Sequence, residues 1–497
     1  MSLFSAGRQA LPRIVAVSPS SARGRAISTS TLNTKPNRLQ RVDVGSNSTT
    51  SAQTLPAGGI KAAPESLAPA VSPLSALPTP VLLRSLLIAT ISSKPYLLLP
   101  SLSALSFLCN PRAGSMLNVD RNPVLHSILK ASFYKQFCAG ETPDEVRSTI
   151  RQLANMGFHG TIMTYAKETV FDAKTKTQVG LGVNARGPGE DGREHTKARG
   201  EAFCPQIEAW RKGTVETVDL LGANDYLALK LTGAGPSVTT AFSTGCPPPA
   251  QILSALDEIS TRCAARGVRI LVDAESHHFL AGILRVTLDL MRKFNRDGRA
   301  RIYNTYQAYL KSTPATIARH LQAASEEGFT LGLKLVRGAY IASDERSLIH
   351  DTKADTDSAY NGIAQGVLCQ QLGVFGTEKP FPSVELFLAS HNRESVMAAH
   401  ALRQQRVKEG LPTVPVGYGQ LHGMSDEVSF GLLALKKGGK EPVVYKCSTW
   451  GGLGECLAYL VRRAVENRDA VSRTGDEYRA LKREVGRRAR GLFGLSS

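Results

Sequence analysis

Beyond Glu141, short aliphatic or β-branched runs alternate with longer segments whose apolar positions recur at helical spacing. Eight runs have the first character: Gly160 to Tyr165, Tyr226 to Leu231, Val268 to Val272, Arg301 to Thr305, Leu331 to Val336, Val384 to Ala389, Val414 to Gln420 and Val443 to Lys446. The helical segments between most of them are Ala250 to Arg266, His277 to Phe294, Pro314 to Glu327, Asp355 to Leu372, Arg393 to Gln405 and Ser425 to Leu435, with Gly454 to Arg468 after the last. A strand followed by a crossover helix is the unit of a parallel sheet, and eight units predict an α/β fold of the (β/α)8 barrel type. In such a barrel the ligand faces the carboxyl ends of the strands. At or just after those ends stand Lys230, Asp273, Gln307, Lys334, Arg337, His391, Gln420 and Cys447. So many charged and hydrogen-bonding groups closing apolar runs predict a mouth for a polar, anionic ligand.

The pattern changes upstream. Val81 to Cys109 is strongly apolar, but Arg84, Lys94, Pro95 and Pro100 cut it into pieces shorter than the roughly 20 residues of a membrane span. It reads as a pair of helices packed on the main domain, or as a patch that touches a membrane. Residues 43–80 are rich in Ser, Thr, Pro and Ala and are expected to form a flexible linker. Met1 to Val42 lacks any acidic residue and interleaves Arg8, Arg13, Arg23, Arg25, Lys35, Arg38 and Arg41 with Ser and Ala, the composition of a mitochondrial transit peptide. The expected organisation is therefore a transit peptide (1–42), a linker (43–80), an N-terminal helical region (81–135), a barrel domain (136–480) and a basic C-terminal tail (481–497). Val179 to Gly200, full of Gly, Pro and charge, reads as an insertion. Its Gly180 to Ala185 matches G-x-G-x-x-A, but Arg-Gly-Pro-Gly follows where a helix must begin, which argues against a dinucleotide site.

The net charge of +18 suggests nucleic acid until its distribution is seen. Residues 1–119 hold eleven Lys/Arg against Asp43 and Glu65, half of the excess, and the rest is too dilute to require a nucleic-acid groove. Eight scattered cysteines form no C-x-x-C pair, which argues against structural zinc and a disulfide framework and fits a reducing compartment.

In the last helical segment Tyr459, Arg462, Arg463 and Glu466 fall on one face at i, i+3, i+4 and i+7. Two adjacent guanidinium groups there can clamp a carboxylate bidentately, although a solvated, charge-paired helix would show the same spacing. Taken with Phe133 to Glu141, Ala228 to Thr232, Val272 to Glu275, Tyr306 to Tyr309, Lys334 to Tyr340, Ser390 to Asn392 and Gln420 to Met424, this block resembles the flavin-dependent proline dehydrogenase family, of the fungal mitochondrial type.

The resemblance implies a barrel whose eighth helix caps the ligand site. It implies oxidation of L-proline to 1-pyrroline-5-carboxylate by hydride transfer from C5 to a non-covalent FAD, with electrons passed to a membrane quinone. The location implied is mitochondrial, on the matrix side, in contact with the inner membrane. By the same match Lys230, Arg462 and Arg463 hold the substrate carboxylate, while Asp273 pairs with Lys230. Tyr340, Leu421, Cys447 and Tyr459 wall the substrate. Lys334 stands near flavin N5, where a cation stabilises developing negative charge. Gln307 bonds the ring, Arg337, Gly338 and Ala339 approach the phosphates, Ser390 and His391 hold the adenylate side, and Glu466 joins the cofactor set. The family's tyrosine twelve residues before Tyr459 is Cys447 here. That shrinks a wall beside ring carbon C4 and opens hydroxyproline as an alternative substrate. Two other readings remain: a Schiff-base lyase using Lys230 or Lys334 with Asp273 as proton shuttle, and a proline-binding protein without redox chemistry.

Overall fold

The computed structural model describes residues 72–108, 118–165, 169–172, 177–180, 203–436, 439, 441–466 and 471–492. The expected transit peptide, most of the linker and nearly all of the 179–200 insertion lie outside the described residues, including all of the G-x-G-x-x-A match but Gly180.

Ten strands are described: β1 (Gly160–Tyr165), β2 (Thr169–Asp172), β3 (Thr177–Gly180), β4 (Tyr226–Leu229), β5 (Arg269–Val272), β6 (Ile302–Gln307), β7 (Leu331–Val336), β8 (Val384–Ala389), β9 (Val416–Leu421) and β10 (Val443–Trp450). β2 and β3 pair as an antiparallel hairpin; the other eight close, all parallel, in the order β1-β4-β5-β6-β7-β8-β9-β10 and back to β1. The predicted eight-stranded barrel is the observed fold. The helices upstream of the barrel are α1 (Thr79–Ser92), α2 (Pro95–Leu108), α3 (Pro123–Leu129), the single turn α4 (Lys135–Phe137) and α5 (Pro143–Asn155). Those around and after it are α6 (Pro205–Leu220), α7 (Pro236–Thr244), α8 (Ala250–Arg266), α9 (His277–Phe294), α10 (Thr313–Glu327), α11 (Lys353–Leu368), α12 (Arg393–Lys408), α13 (Asp426–Ala434), α14 (Leu453–Glu466) and α15 (Val471–Leu492).

Two details of the expected organisation differ. Leu74 and Leu77 are buried, and a turn at Pro73–Ala76 packs beside α13, so the last part of the expected linker is structured. The single helix α15 runs through the boundary expected at 480, because Leu481 and Glu484 are buried and Arg488 bonds Thr79 and the carbonyls of Leu74, Ser75 and Leu77.

The barrel interior is aromatic. Tyr226 meets Tyr303, Phe387 and Tyr445 edge-on at 5.0–5.8 Å between ring centres. Gly417 and Gly419 make room for Phe387, since a Cβ on either would lie within 3.0 Å of its ring. Alternation along β10 turns Tyr445 and then Cys447 inward and Lys446 outward. Lys446 is almost wholly buried against Asp426 at 2.7 Å and bonds the carbonyls of Leu421 and Met424. This outward lysine fixes the loop that follows β9.

Candidate active site

Above the aromatic floor, the strand ends present one carboxylate between two ammonium groups. Lys230 follows β4, Asp273 follows β5 and Lys334 lies on β7. Asp273 Oδ1 is 2.7 Å from Lys334 Nζ, and its Oδ2 is 3.2 Å from Lys230 Nζ. All three side chains are nearly buried, at 16, 13 and 8% exposure respectively. Burial alone pushes the Asp273 carboxyl upward, but the charges and hydrogen bonds of Lys334 and Lys230 override it and hold the group below the usual carboxylate range. Two cations on one anion leave a net positive charge at a poorly solvated mouth. Cys447, the next inward residue of β10, shares this field: burial pushes its thiol up to about 11, with Asp273 adding to the rise and the two lysines opposing it. The thiol is therefore neutral at physiological pH.

The adjoining wall is braced by side chains the sequence placed there. Gln307 is buried at the end of β6 and donates to the Glu275 carbonyl at 3.3 Å. Arg337 bonds Asp357 (2.7 Å), Ser390 (2.8 Å) and Ser395 (2.9 Å) and lies over the Tyr360 ring. Its guanidinium thus ties the end of β7 to α11 and to the loop after β8. Gly338 has φ +136°, and a Cβ there would sit 2.4 Å from the Tyr309 ring, so only glycine lets this backbone lie so close. Ala339 is exposed and Tyr340 buried. Leu421 donates its backbone N–H to His391 Nε2 at 3.2 Å and leaves its own side chain half exposed.

Helix α14 brings the tandem arginines to this wall. The Arg463 guanidinium stacks over Tyr340 at 5.1 Å and reaches Tyr459 at 6.0 Å, so the loop after β7 and the last barrel helix meet through a cation and two rings. Arg462 is its neighbour and is half-buried. The side chain of Glu466 lies outside the described residues.

Several supporting groups were not anticipated. Glu275 is buried and accepts from the Thr232 N–H (3.1 Å) and hydroxyl, joining the segments after β5 and β4. Asp344, also buried, accepts from the Ser276 hydroxyl and His277 N–H, both at 3.0 Å, and from the Tyr309 hydroxyl at 2.7 Å. Glu141 accepts from the Leu453 N–H at the start of α14. Glu275 and Glu141 sit inside the blocks Val272 to Glu275 and Phe133 to Glu141 that carry the family resemblance; nothing in the local sequence marks Asp344.

A buried cluster of charge at the strand ends of a closed parallel barrel, with a helix bearing tandem arginines joined to the loop after β7 through Tyr340, is the arrangement of a barrel enzyme. The proline dehydrogenase family model matches residues 146–476, and the chain belongs to that family. Bovine hydroxyproline dehydrogenase is 31% identical over 391 residues, covering 73% of this chain and 82% of that one. A probable mitochondrial proline dehydrogenase of Schizosaccharomyces pombe is 28% identical over 447 residues, covering 82 and 87%. Among solved structures, proline utilization A from Bdellovibrio bacteriovorus has the same fold, with a TM-score of 0.56 at 16% identity over 76% of this chain. This chain spans 37% of the length of that larger one.

Proposed function

We propose that this proline dehydrogenase oxidises L-proline to 1-pyrroline-5-carboxylate with FAD as the bound cofactor and a quinone as electron acceptor, in mitochondria. The observation that carries the reading is the Lys230–Asp273–Lys334 triad, an anion-seeking site at a barrel mouth in a chain of this family. The donor set suits a flavin as well, because a buried cation at Lys334 and a glycine at 338 with no room for a side chain are what a reducible, phosphate-bearing ring system requires. When bound, FAD supplies the acceptor for the hydride leaving proline C5. Lys334, Gln307, Arg337, Gly338, Ala339, Ser390, His391 and Glu466 would hold it. Lys230, Arg462 and Arg463 bind the substrate carboxylate, and Tyr340, Leu421, Cys447 and Tyr459 enclose the ring. Asp273 keeps both lysines aimed. The surplus of cations also disfavours a substrate ammonium, and hydride loss requires the neutral amine.

Cys447 supports a second substrate, trans-4-hydroxyproline, because its thiol occupies less of the mouth than an aromatic ring would, and hydroxyproline dehydrogenases are among the relatives. One experiment tests both. The purified protein should be yellow and bleach anaerobically on adding proline, and Cys447→Tyr should lower activity on trans-4-hydroxyproline relative to proline by about tenfold. A colourless or unbleached protein would end the flavin reading; an unchanged ratio in Cys447→Tyr would end the hydroxyproline one.

We assign the contact to the inner membrane, on the matrix side, by the family resemblance; what the N-terminal helices support is contact with a membrane surface. No single described helix is long and apolar enough to cross a membrane. Yet α1 and α2 expose Leu83, Leu87, Tyr96, Leu99 and Phe107. The neighbouring α15 exposes Arg479, Lys482, Arg483, Arg487 and Arg490. Apolar side chains beside cations match an anionic lipid surface. The protein should co-sediment with vesicles containing anionic phospholipid, and Leu87→Ser with Leu99→Ser should weaken that by about tenfold or more. Equal binding by the double variant would refute this surface.

A further inference from the structure

The helix that carries the tandem arginines is held at its start by groups from far away in the chain. The N–H groups of a first helical turn have no partner within the helix. In α14, Leu453 donates its N–H to Glu141 Oε1 at 2.9 Å and Gly454 donates its own to Asp120 Oδ1 at 3.1 Å. Both carboxylates also face the positive end of the helix dipole. Glu141 is itself anchored: its Oε2 lies 2.6 Å from Lys130 Nζ and 3.1 Å from His126 Nε2. Burial acts to raise the Glu141 carboxyl, but Lys130, His126 and the Leu453 N–H outweigh it, so the group stays below the ordinary carboxylate range. Gly454 has no space for a side chain, since a Cβ would lie 2.3 Å from Asp120. The same N-terminal arm bonds the turn before α14 through the Tyr134 hydroxyl to the Gly451 carbonyl at 2.7 Å. It also packs Val119, Tyr134 and Cys138 against Leu453, Cys456 and Leu457.

We propose that Glu141, seconded by Asp120, is a positioning residue for substrate binding: the pair fixes the capped end of α14 and thereby the place of Arg462 and Arg463 over the barrel mouth. The inference rests on the reading that these arginines hold the substrate carboxylate. Its leverage is geometric. Nine residues separate Leu453 from Arg462, roughly 14 Å of helix, so a tilt of about 5° at the cap displaces the arginines by roughly 1 Å. A displacement of that size is enough to spoil a bidentate clamp.

The test uses the full chain with its flavin. Glu141→Ala should raise KM for proline about tenfold with kcat within about twofold, because the interaction lost is one of substrate binding. Glu141→Gln, which keeps an acceptor for the Leu453 N–H, should restore KM to within about threefold of the parent. The dissociation constant for the unreactive ring-oxygen analogue of proline, read from the flavin spectrum, should follow KM. Asp120→Ala, which removes the acceptor for the Gly454 N–H, provides an independent arm with a smaller rise in KM, and it decides the matter if Glu141→Ala does not fold. Unchanged KM in the folded variants, or a fall in kcat at constant KM, would overturn the proposal. A parent enzyme that proline does not bleach would instead overturn the functional reading.

Discussion

Replacing Asp273 by alanine should cut kcat for proline by roughly two to three orders of magnitude while leaving KM unchanged or lower. The side chain is the sole carboxylate bonded by both Lys230 and Lys334 among the described contacts. Removing one member of a buried ionic group leaves its partners uncompensated, at about 3–5 kcal/mol for a fully buried pair. Here two ammonium groups would face each other across the vacated position. The mouth would still attract an anion, more strongly than before. The substrate carboxylate would then settle between the lysines, where Asp273 had been, and the ring would be held in the wrong place. That is why the loss should fall on turnover and not on apparent affinity. Asp273→Asn, which keeps one acceptor oxygen, should retain more activity than the alanine variant. The same group makes the fold acid-sensitive: a carboxylate whose pKa is depressed on folding contributes stability above its unfolded pKa, and that contribution disappears as pH falls through the folded value. Steady-state kinetics and thermal melts across the acidic range check both statements, and an alanine variant with parental kcat would remove Asp273 from the site.

That triad was legible in the chain because strand alternation and strand ends are local properties. Lys230 and Asp273 each follow a short apolar run and Lys334 stands near the end of another, and a closed parallel barrel brings these ends together. Local patterns failed where composition was mixed. Helix α6 went unpredicted since Trp210, Gly213 and the charged Arg211 and Lys212 blur its periodicity next to the insertion. Strand β10 was expected to stop at Lys446 but continues to Trp450, its Ser448 and Thr449 being buried polar groups that read as loop. The cap on α14 was illegible for a different reason. Glu141 meets Leu453 across 312 positions and Asp120 meets Gly454 across 334, and nothing near either carboxylate announces its partner. Arg337 shows the same limit from the other side. Its motif pointed to a ligand, whereas the structure also gives its guanidinium a bracing duty between Asp357, Ser390 and Ser395.

Arg462→Ala combined with Arg463→Ala should raise KM for proline by roughly a thousandfold while the protein still folds and retains its flavin. Charge-assisted hydrogen bonds contribute about 1.5–3 kcal/mol each, and two such groups acting on one carboxylate account for an effect of this size. Folding should survive because α14 is secured elsewhere, through Leu453, Cys456 and Leu457 on the N-terminal arm, and the arginines lie outside that buried cluster. Arg463 adds a structural component: its stacks on Tyr340 and Tyr459 tie the loop after β7 to α14 at a cost of about 0.5–2 kcal/mol if lost. The single Arg463→Ala change should therefore disturb both KM and kcat, whereas Arg462→Ala should act on KM alone. Lysine at either position keeps the charge without the planar fork and should recover only part of the affinity. If the double alanine variant bound and oxidised proline as the parent does, the tandem arginines would have no part in substrate recognition, and of the groups assigned to the carboxylate only Lys230 would remain.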